Sequence, residues 1–277
     1  MTNVLVNGMP EPYIDTADRG FNFGDGLFTT ILIRDGRPCL WPRHWQRLQA
    51  GCAKLAMPAP TEAELLNDLS QLTSRGRSEV AKIIVTRGSG GRGYQPLASA
   101  VPNRAVVMRP LPEDVVTLRK NGIVLARCTT PLARNPVLAG LKHLNRLEQV
   151  LASIELAKLA AHEGLMSDTA GNLIECTRSN LFIVQDGRLL TPPLLECGVA
   201  GIMRAQVSES AAGLGLTCDQ SVLTDDMLAT ADEIFVTNAV IGIWPVIRLL
   251  QSKSRSLQVG PVTAALIGRL EQDGVVL

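Results

Sequence analysis

The stretch that says most about this chain is residues 134–149, which read RNPVLAGLKHLNRLEQ. It sets Lys142 behind an apolar run, at the start of a helix that the pattern predicts over residues 142–161. A desolvated lysine can lose its proton and form a Schiff base, whereas the guanidinium of arginine stays charged. Lysine is rare in this chain and occurs only as Lys54, Lys82, Lys120, Lys142, Lys158 and Lys253. Lys142 is therefore a candidate reactive amine, although a lysine in the first turn of a helix is more often a solvated surface residue.

The composition is that of a globular protein with a substantial core. The chain has 277 residues, a hydrophobic fraction of 46% and a net charge of +1, which favours neither nucleic acid nor an anionic membrane as a partner. Its first eight residues lack the basic segment of a secretory signal peptide. The longest apolar run, residues 239–246, contains Pro245 and is too short to span a bilayer.

The cysteines and histidines suggest neither a disulfide framework nor a metal site. The six cysteines show no CxxC pair, so we expect reduced thiols and a cytoplasmic protein. The three histidines, His44, His143 and His162, have no metal-ligand spacing.

Hydrophobic periodicity predicts a mixed α+β protein of two domains. Strands are expected at 4–6, 27–34, 80–87, 105–109, 123–127, 172–175, 180–184, 188–191 and 233–237, and helices at 43–56, 61–73, 142–161, 202–214 and 225–230. Thr61 and Glu64 form a capping-box pattern, and Asp186-Gly187 a hairpin turn. Residues 109–113, RPLPE, form an expected linker, which places an N-terminal α/β domain at 1–112 and a larger C-terminal domain at 113–277. The elements follow no strict βαβ order.

Three further segments carry chemically informative residues. Glu175 lies in an apolar strand, where a carboxylate needs a cation or a donor; an ion pair with Arg178 would also satisfy it. Residues 198–204, GVAGIMR, open a helix with a glycine turn, a common feature that suits a phosphate. Arg47 could reach a phosphate, although such an arginine is often on the surface.

Together these segments resemble, in order and spacing, the fold-type IV enzymes that use pyridoxal 5′-phosphate (PLP). That family includes branched-chain and D-amino-acid aminotransferases and aminodeoxychorismate lyases. The resemblance covers nearly the whole chain and also includes residues 18–20 (DRG), 23–26 (FGDG), 44–48 (HWQRL) and 180–182 (NLF). It implies a smaller N-terminal α/β domain and a larger C-terminal mixed pseudo-barrel domain that binds PLP, in a homodimer.

The resemblance also implies a role for each matching residue. Lys142 would hold the cofactor and move protons. Glu175 would keep the pyridine nitrogen protonated, which makes the ring an electron sink. The resemblance assigns phosphate binding to Arg47, to the amides of Ile202 and Met203, and to the segment around Asn238.

Within the family, the sequence resembles the lyases more than the aminotransferases. The aminotransferases commonly carry Tyr-Glu where this chain has Phe28-Thr29, and threonine where it has Met203. The loop at 87–94, RGSGGRGY, resembles that of aminodeoxychorismate lyase. In the related D-amino-acid aminotransferases an arginine at the position of Arg92 clasps a substrate carboxylate. We therefore expect Arg92 and Tyr94 to bind substrate, although a solvated loop arginine is the plainer alternative.

The expected reaction converts 4-amino-4-deoxychorismate to 4-aminobenzoate and pyruvate, a step of folate synthesis. Lys142 would remove the ring proton beside the substrate amine, and Lys142 or Thr29 would protonate the leaving enol. Two alternatives stay open. One is a D-amino-acid or branched-chain aminotransferase, and the other is a binding protein without catalysis on the same scaffold.

Overall fold

A computed structural model describes residues 3–250 and 254–277. Its strands are β1 (Val4–Val6), β2 (Gly26–Arg34), β3 (Arg37–Pro38), β4 (Ser78–Thr86), β5 (Asn103–Pro110), β6 (Ile123–Arg127), β7 (Glu163–Ser167), β8 (Leu173–Cys176), β9 (Asn180–Gln185), β10 (Arg188–Thr191), β11 (Cys218–Gln220), β12 (Glu233–Asn238), β13 (Gly242–Leu250) and β14 (Arg255–Ser256). Its helices are α1 (Arg19–Phe23), α2 (Trp41–Lys54), α3 (Glu62–Leu72), α4 (Val115–Asn121), α5 (Leu147–Leu156), α6 (Ile202–Gly213), α7 (Asp225–Thr230) and α8 (Pro261–Gln272).

The chain separates into two compact units. The first comprises Met1–Pro112 together with Leu141–Asn145, and the second comprises Glu113–Gly140 together with Arg146–Leu277. The short segment that carries Lys142 therefore groups with the first unit, although residues on both sides of it belong to the second.

The first unit is an antiparallel sheet with helices on one face. Its strands lie in the order β1-β5-β4-β2-β3. Alternate residues of β2 point into a core that they share with α2 and α3, and this core includes Leu27, Ile31, Ile33, Leu48 and Leu65. Helix α3 begins as predicted, because the Thr61 hydroxyl accepts from the Glu64 amide while the Glu64 carboxylate accepts from the Thr61 amide.

The second unit contains a sheet that closes on itself. The order β9-β12-β13-β6-β7-β8 returns to its start because β8 also pairs with β9. Pairing is mixed: β6 runs parallel to β7 and β13, whereas β12 runs antiparallel to β9 and β13. The expected α+β class with a pseudo-barrel is confirmed. The Asp186-Gly187 hairpin is also confirmed, with both residues at positive φ between β9 and β10.

The helix predicted over 142–161 is wrong at both ends. Helix α5 spans only Leu147–Leu156, and Lys142 lies in an extended segment before it. Phe28 donates its amide to the Lys142 carbonyl at 3.0 Å, and Leu144 donates to the Gly26 carbonyl at 3.0 Å. Pairing with the first residues of β2 thus holds this segment out of the helix.

Other sequence predictions also need correction. Arg109 and Pro110 do not lie in a linker but end β5, where Pro110 pairs with Glu79. Strands β7 and β13 and helices α1, α4 and α8 were not predicted. Among the described residues, no helix is long and apolar enough to cross a bilayer, and no group of three or more His, Cys, Asp or Glu side chains could hold a metal.

Candidate active site

The first unit brings together Thr29 from β2 with His44 and Arg47 from α2. The Thr29 hydroxyl accepts a hydrogen bond from Arg47 Nη2 at 2.7 Å and lies 2.6 Å from His44 Nδ1. Thr29 and His44 are fully buried. Burial lowers the pKa of Arg47 to about 10, which still leaves the guanidinium charged at neutral pH. The Arg47 guanidinium thus donates to a neutral, buried hydroxyl, which in turn contacts the His44 imidazole.

Lys142 lies on the same unit, beside Phe28 of β2. Its Nζ is 4.4 Å from the centroid of the Phe28 ring, and Nζ of Lys82 is 4.8 Å from the same centroid. The half-buried Lys142 is thus anchored by its carbonyl to the Phe28 amide and faces the Phe28 ring with its amine. An ammonium near an aromatic face is favourable.

The second unit holds Glu175 on β8, and its carboxylate is almost completely buried. Glu175 Oε2 accepts from the Val199 amide at 2.8 Å. The carboxylates of Glu175 and Glu148 also counteract the lowering of the Arg146 pKa that burial causes. Arg178, the alternative partner of Glu175, forms an ion pair with Glu163 (Nε–Oε2 3.4 Å).

The glycine turn before α6 is attached to the strand that follows Glu175. Asn180 of β9 donates from Nδ2 to the Val199 carbonyl at 2.9 Å. Val199 therefore bonds to Glu175 through its amide and to Asn180 through its carbonyl. A β-carbon on Gly201 would lie 1.9 Å from Asn180 Oδ1, so only glycine fits there without displacing Asn180. The contacts of Asn180 and Val199 were not predicted, because neither follows from local spacing in the sequence.

Helix α6 begins at Ile202 and follows Gly201 as its N-cap. Glycine has no side chain to accept from the amides of the first turn, and the helix dipole favours an anion there. Ile202 and Met203 are both buried. The turn is therefore a candidate phosphate site.

The remaining predicted residues lie outside these clusters. Asn238 ends β12, where its Oδ1 accepts from the amides of Val240 and Ile241 and its Nδ2 donates to the Arg178 carbonyl. Those bonds organise a turn. Arg92 and Tyr94 are exposed on the glycine-rich loop of the first unit. The Tyr94 ring packs against Phe23, with centroids 5.4 Å apart.

Comparison with known proteins assigns these features to a family. The model of the family described as "Amino-transferase class IV" matches residues 26–249, which include Thr29, Lys142 and Glu175. The chain belongs to the class IV aminotransferase family. This result confirms the resemblance on which the cofactor prediction rests.

Within this family, the chain is similar to individual lyases and aminotransferases over nearly its whole length. The chain is 34% identical over 266 residues to an aminodeoxychorismate lyase of Vibrio harveyi, covering 96% of this chain and 98% of the relative. It is similar to the crystal structure of 4-amino-4-deoxychorismate lyase from Pseudomonas aeruginosa, with a TM-score of 0.91, 44% identity and 98% of each chain covered. A D-alanine aminotransferase of Bacillus licheniformis is 27% identical over 267 residues, 94% of this chain and 93% of that relative.

Proposed function

We propose that this protein is a PLP-dependent enzyme that converts 4-amino-4-deoxychorismate to 4-aminobenzoate and pyruvate. The observation that carries the proposal is the 44% identity, over 98% of both chains, to a solved lyase of that substrate. The Phe28-Thr29 pair also supports a lyase. The aminotransferases of this family commonly carry a glutamate at the position of Thr29, where this chain has a buried hydroxyl instead.

The donor set fits PLP. Arg47 is a half-buried cation suited to the phosphate, and the amides of Ile202 and Met203 open a helix whose N-cap is glycine. Glu175 is a buried carboxylate suited to the pyridine nitrogen. Lys142 supplies the amine that an aldehyde requires. Asn238 is proposed to support the phosphate from the end of β12.

Bound PLP supplies an electron sink for the charge that develops on the substrate carbon. The residues of the chain provide binding and proton transfer. Lys142 takes the ring proton beside the substrate amine, and loss of the enolpyruvyl group leaves an aromatic ring. Thr29 or Lys142 then gives a proton to the departing enol. Thr29 suits this role, because the charged Arg47 donates to its oxygen and would stabilise the negative charge that develops there when the hydroxyl gives up its proton, while His44 Nδ1 lies 2.6 Å from the same oxygen.

Arg92 and Tyr94 are proposed to bind the substrate. Both are exposed on the glycine-rich loop, and an arginine fork matches the two oxygens of a carboxylate. The substrate of the proposed reaction carries carboxylates, so Arg92 would set its orientation.

An assay without a keto-acid acceptor tests the function. We expect the purified protein with PLP to release pyruvate and 4-aminobenzoate from 4-amino-4-deoxychorismate in near-equal amounts. Turnover that requires a keto acid would instead identify a D-amino-acid or branched-chain aminotransferase, the second candidate, which the similarity to a D-alanine aminotransferase supports.

The Lys142→Ala variant tests whether the cofactor is held covalently. We expect the visible absorbance of bound PLP to disappear, whereas Lys54→Ala, on the exposed end of α2, keeps it. If the wild-type protein takes up no PLP and PLP does not change its stability, the result would support a binding protein without catalysis.

We further propose a cytoplasmic homodimer. Its described cysteines are all free thiols, as a reducing compartment would keep them. Large apolar side chains are exposed on each unit, among them Phe21 and Val101 in the first and Leu147 and Ile154 in the second, and such surfaces often mark contacts with another chain. Light scattering on the purified protein measures the assembly, and a monomeric mass would contradict it.

A further inference from the structure

The buried Arg19 lies beneath the glycine-rich loop and holds it at both ends. Its backbone amide donates to the Gly88 carbonyl at 2.9 Å. Its guanidinium donates from Nη1 to the Gly93 carbonyl at 2.9 Å and from Nη2 to the Tyr94 carbonyl at 2.8 Å. Arg19 is only 5% exposed although the loop itself is exposed. The Arg19 side chain thus fixes the backbone of the two residues that follow Arg92, Gly93 and Tyr94.

The guanidinium of Arg19 is itself held by Asp25. Arg19 Nε lies 2.9 Å from Asp25 Oδ2, and Arg87 approaches the same carboxylate with Nε at 2.7 Å and Nη2 at 3.0 Å. Burial alone would raise the pKa of Asp25, but hydrogen bonds from Arg87 and Arg19 outweigh this effect and lower it. Asp25 therefore stays ionised and keeps the Arg19 fork oriented.

The glycines of the loop allow its backbone to lie against Arg19. Gly91 has φ +95°, and a β-carbon there would come within 2.3 Å of the Gln95 carbonyl oxygen and 3.3 Å of Arg19 Nη1. A β-carbon on Gly88 would lie 1.9 Å from the Val101 carbonyl oxygen. The close approach requires glycine at both positions, so the loop is fitted to one conformation rather than left free.

We propose that Arg19 is a positioning residue for substrate binding and that it acts through Arg92. The Asp25–Arg19 pair sets the backbone at residues 93–94, and this backbone fixes where the adjacent Arg92 presents its guanidinium. The inference rests on the proposed function insofar as Arg92 binds a substrate carboxylate. A lysine could not replace Arg19, because its compact ammonium lacks the planar fork that reaches a carboxylate and two carbonyls together.

The first experiment measures the loop directly. We expect Arg19→Met to raise the hydrogen-exchange rates of the amides at 89–95 at least tenfold, and Arg19→Lys to give an intermediate increase. Arg75→Met, which removes an exposed arginine from a turn of the same unit, is the matched control and keeps wild-type rates. Unchanged exchange in folded Arg19→Met or Arg19→Lys protein would overturn the proposal. If neither of these folds, Asp25→Asn, which keeps Arg19 but weakens its anchor, decides in the same way.

The second experiment asks whether Arg19 acts through Arg92. We expect Arg19→Met to raise the KM for 4-amino-4-deoxychorismate about tenfold, with a smaller change in kcat and an unchanged affinity for PLP. In an Arg92→Met background the same substitution should change KM less than twofold, since the contact that it misplaces is already gone. Equal effects in both backgrounds would show a general structural role and would overturn the proposal.

The two experiments separate this inference from the proposed function. A wild-type protein that releases no pyruvate without an acceptor would contradict the proposed lyase activity. The exchange experiment needs neither substrate nor turnover, so it still decides whether Arg19 holds the loop.

Discussion

The Thr29 hydroxyl contacts both His44 and Arg47, the predicted phosphate-binding arginine. Thr29 is also the proposed proton donor to the leaving enol. We expect Thr29→Val, which keeps the shape and removes the hydroxyl, to lower kcat about 100-fold, a typical loss for a positioned proton donor. Thr29→Ser keeps the hydroxyl and should retain most of the activity. Steady-state pyruvate release measures both variants, and full turnover in Thr29→Val would rule out the relay.

His44 should make the stability of the protein depend on pH. Burial, with the charges of Arg47 and Lys142 acting in the same direction, lowers the pKa of His44 well below 6.5. The unfolded chain therefore binds a proton below about pH 6.5 that the native state does not, so the free energy of unfolding falls as the pH falls. The expected loss between pH 7 and pH 5.5 is about 1 kcal/mol.

Urea unfolding of the PLP-loaded protein at the two pH values measures this effect. His44→Asn removes the buried imidazole and should show a smaller loss between pH 7 and pH 5.5 than the wild type. His162→Asn, at an exposed histidine, controls for the removal of an imidazole elsewhere. The lowered pKa of Asp25 matters only below about pH 4. The same pH dependence in His44→Asn as in the wild type would contradict the assignment.

Residue chemistry was enough to single out individual candidates for the site, but their roles could be predicted only through the family resemblance. It pointed to Lys142, Glu175 and Arg47, whose roles remain proposals. The contacts of Asn180 with Val199 and of Arg19 with the glycine-rich loop join residues far apart in the chain, so no local pattern indicates them. For residues of the buried site, the available sequence signal was a polar residue in an otherwise apolar strand, such as Thr29.

At the scale of single elements, the capping box at the start of α3 should make a measurable contribution to the free energy of unfolding. Thr61 accepts from the Glu64 amide at 3.2 Å, and the Glu64 carboxylate accepts from the Thr61 amide at 2.8 Å. We expect Thr61→Ala to reduce the free energy of unfolding by about 1 kcal/mol in urea titrations. Ser70→Ala, on the exposed surface of the same helix, should change it by less than about 0.5 kcal/mol. Equal effects would indicate that the cap contributes nothing specific.

The turn before α6 offers a matched pair of glycines. Gly201 has φ −68°, which alanine accepts, so Gly201→Ala should act only through the clash with Asn180 Oδ1. We expect the dissociation constant for PLP to rise about tenfold, a loss of about 1.4 kcal/mol in binding free energy. At the other end of α6, the nearest atom to a β-carbon on Gly213 would be 3.6 Å away. Gly213→Ala should therefore leave PLP affinity unchanged, and a similar loss in both variants would refute the role of Asn180.

Elements were predicted well where local signals dominate and poorly where distant pairing decides. The start of α3 and the hairpin at Asp186-Gly187 follow from capping and turn chemistry. The extended segment around Lys142 is instead held by the first residues of β2, which lie far away in sequence. Strand β13 contains Pro245, a residue that argues against a strand, yet it pairs on both sides within the closed sheet.

At the scale of the whole molecule, the α+β class followed from the irregular order of strands and helices, but the closure of the sheet did not. Closure depends on β8 pairing with β9 and on β6 lying between β7 and β13. The parallel partners Val246 and Ile123 are separated by more than a hundred residues, and periodicity carries no information about such partners. The predicted boundary after residue 112 stays a prediction.

The six cysteines, which lie in both units, give a test of the packing of the whole chain. Four are buried, and burial raises their pKa, to about 11 for Cys52 and Cys128, to about 12 for Cys197 and well above 9 for Cys176. Cys39 and Cys218 are partly exposed. Because only the thiolate attacks an alkylating reagent, we expect iodoacetamide at pH 8 to add at most two groups to the native protein and six after denaturation. Intact-mass spectrometry counts the adducts. Rapid modification of more than two thiols while circular dichroism still shows a folded protein would mean that at least one of the two cores is not packed as described.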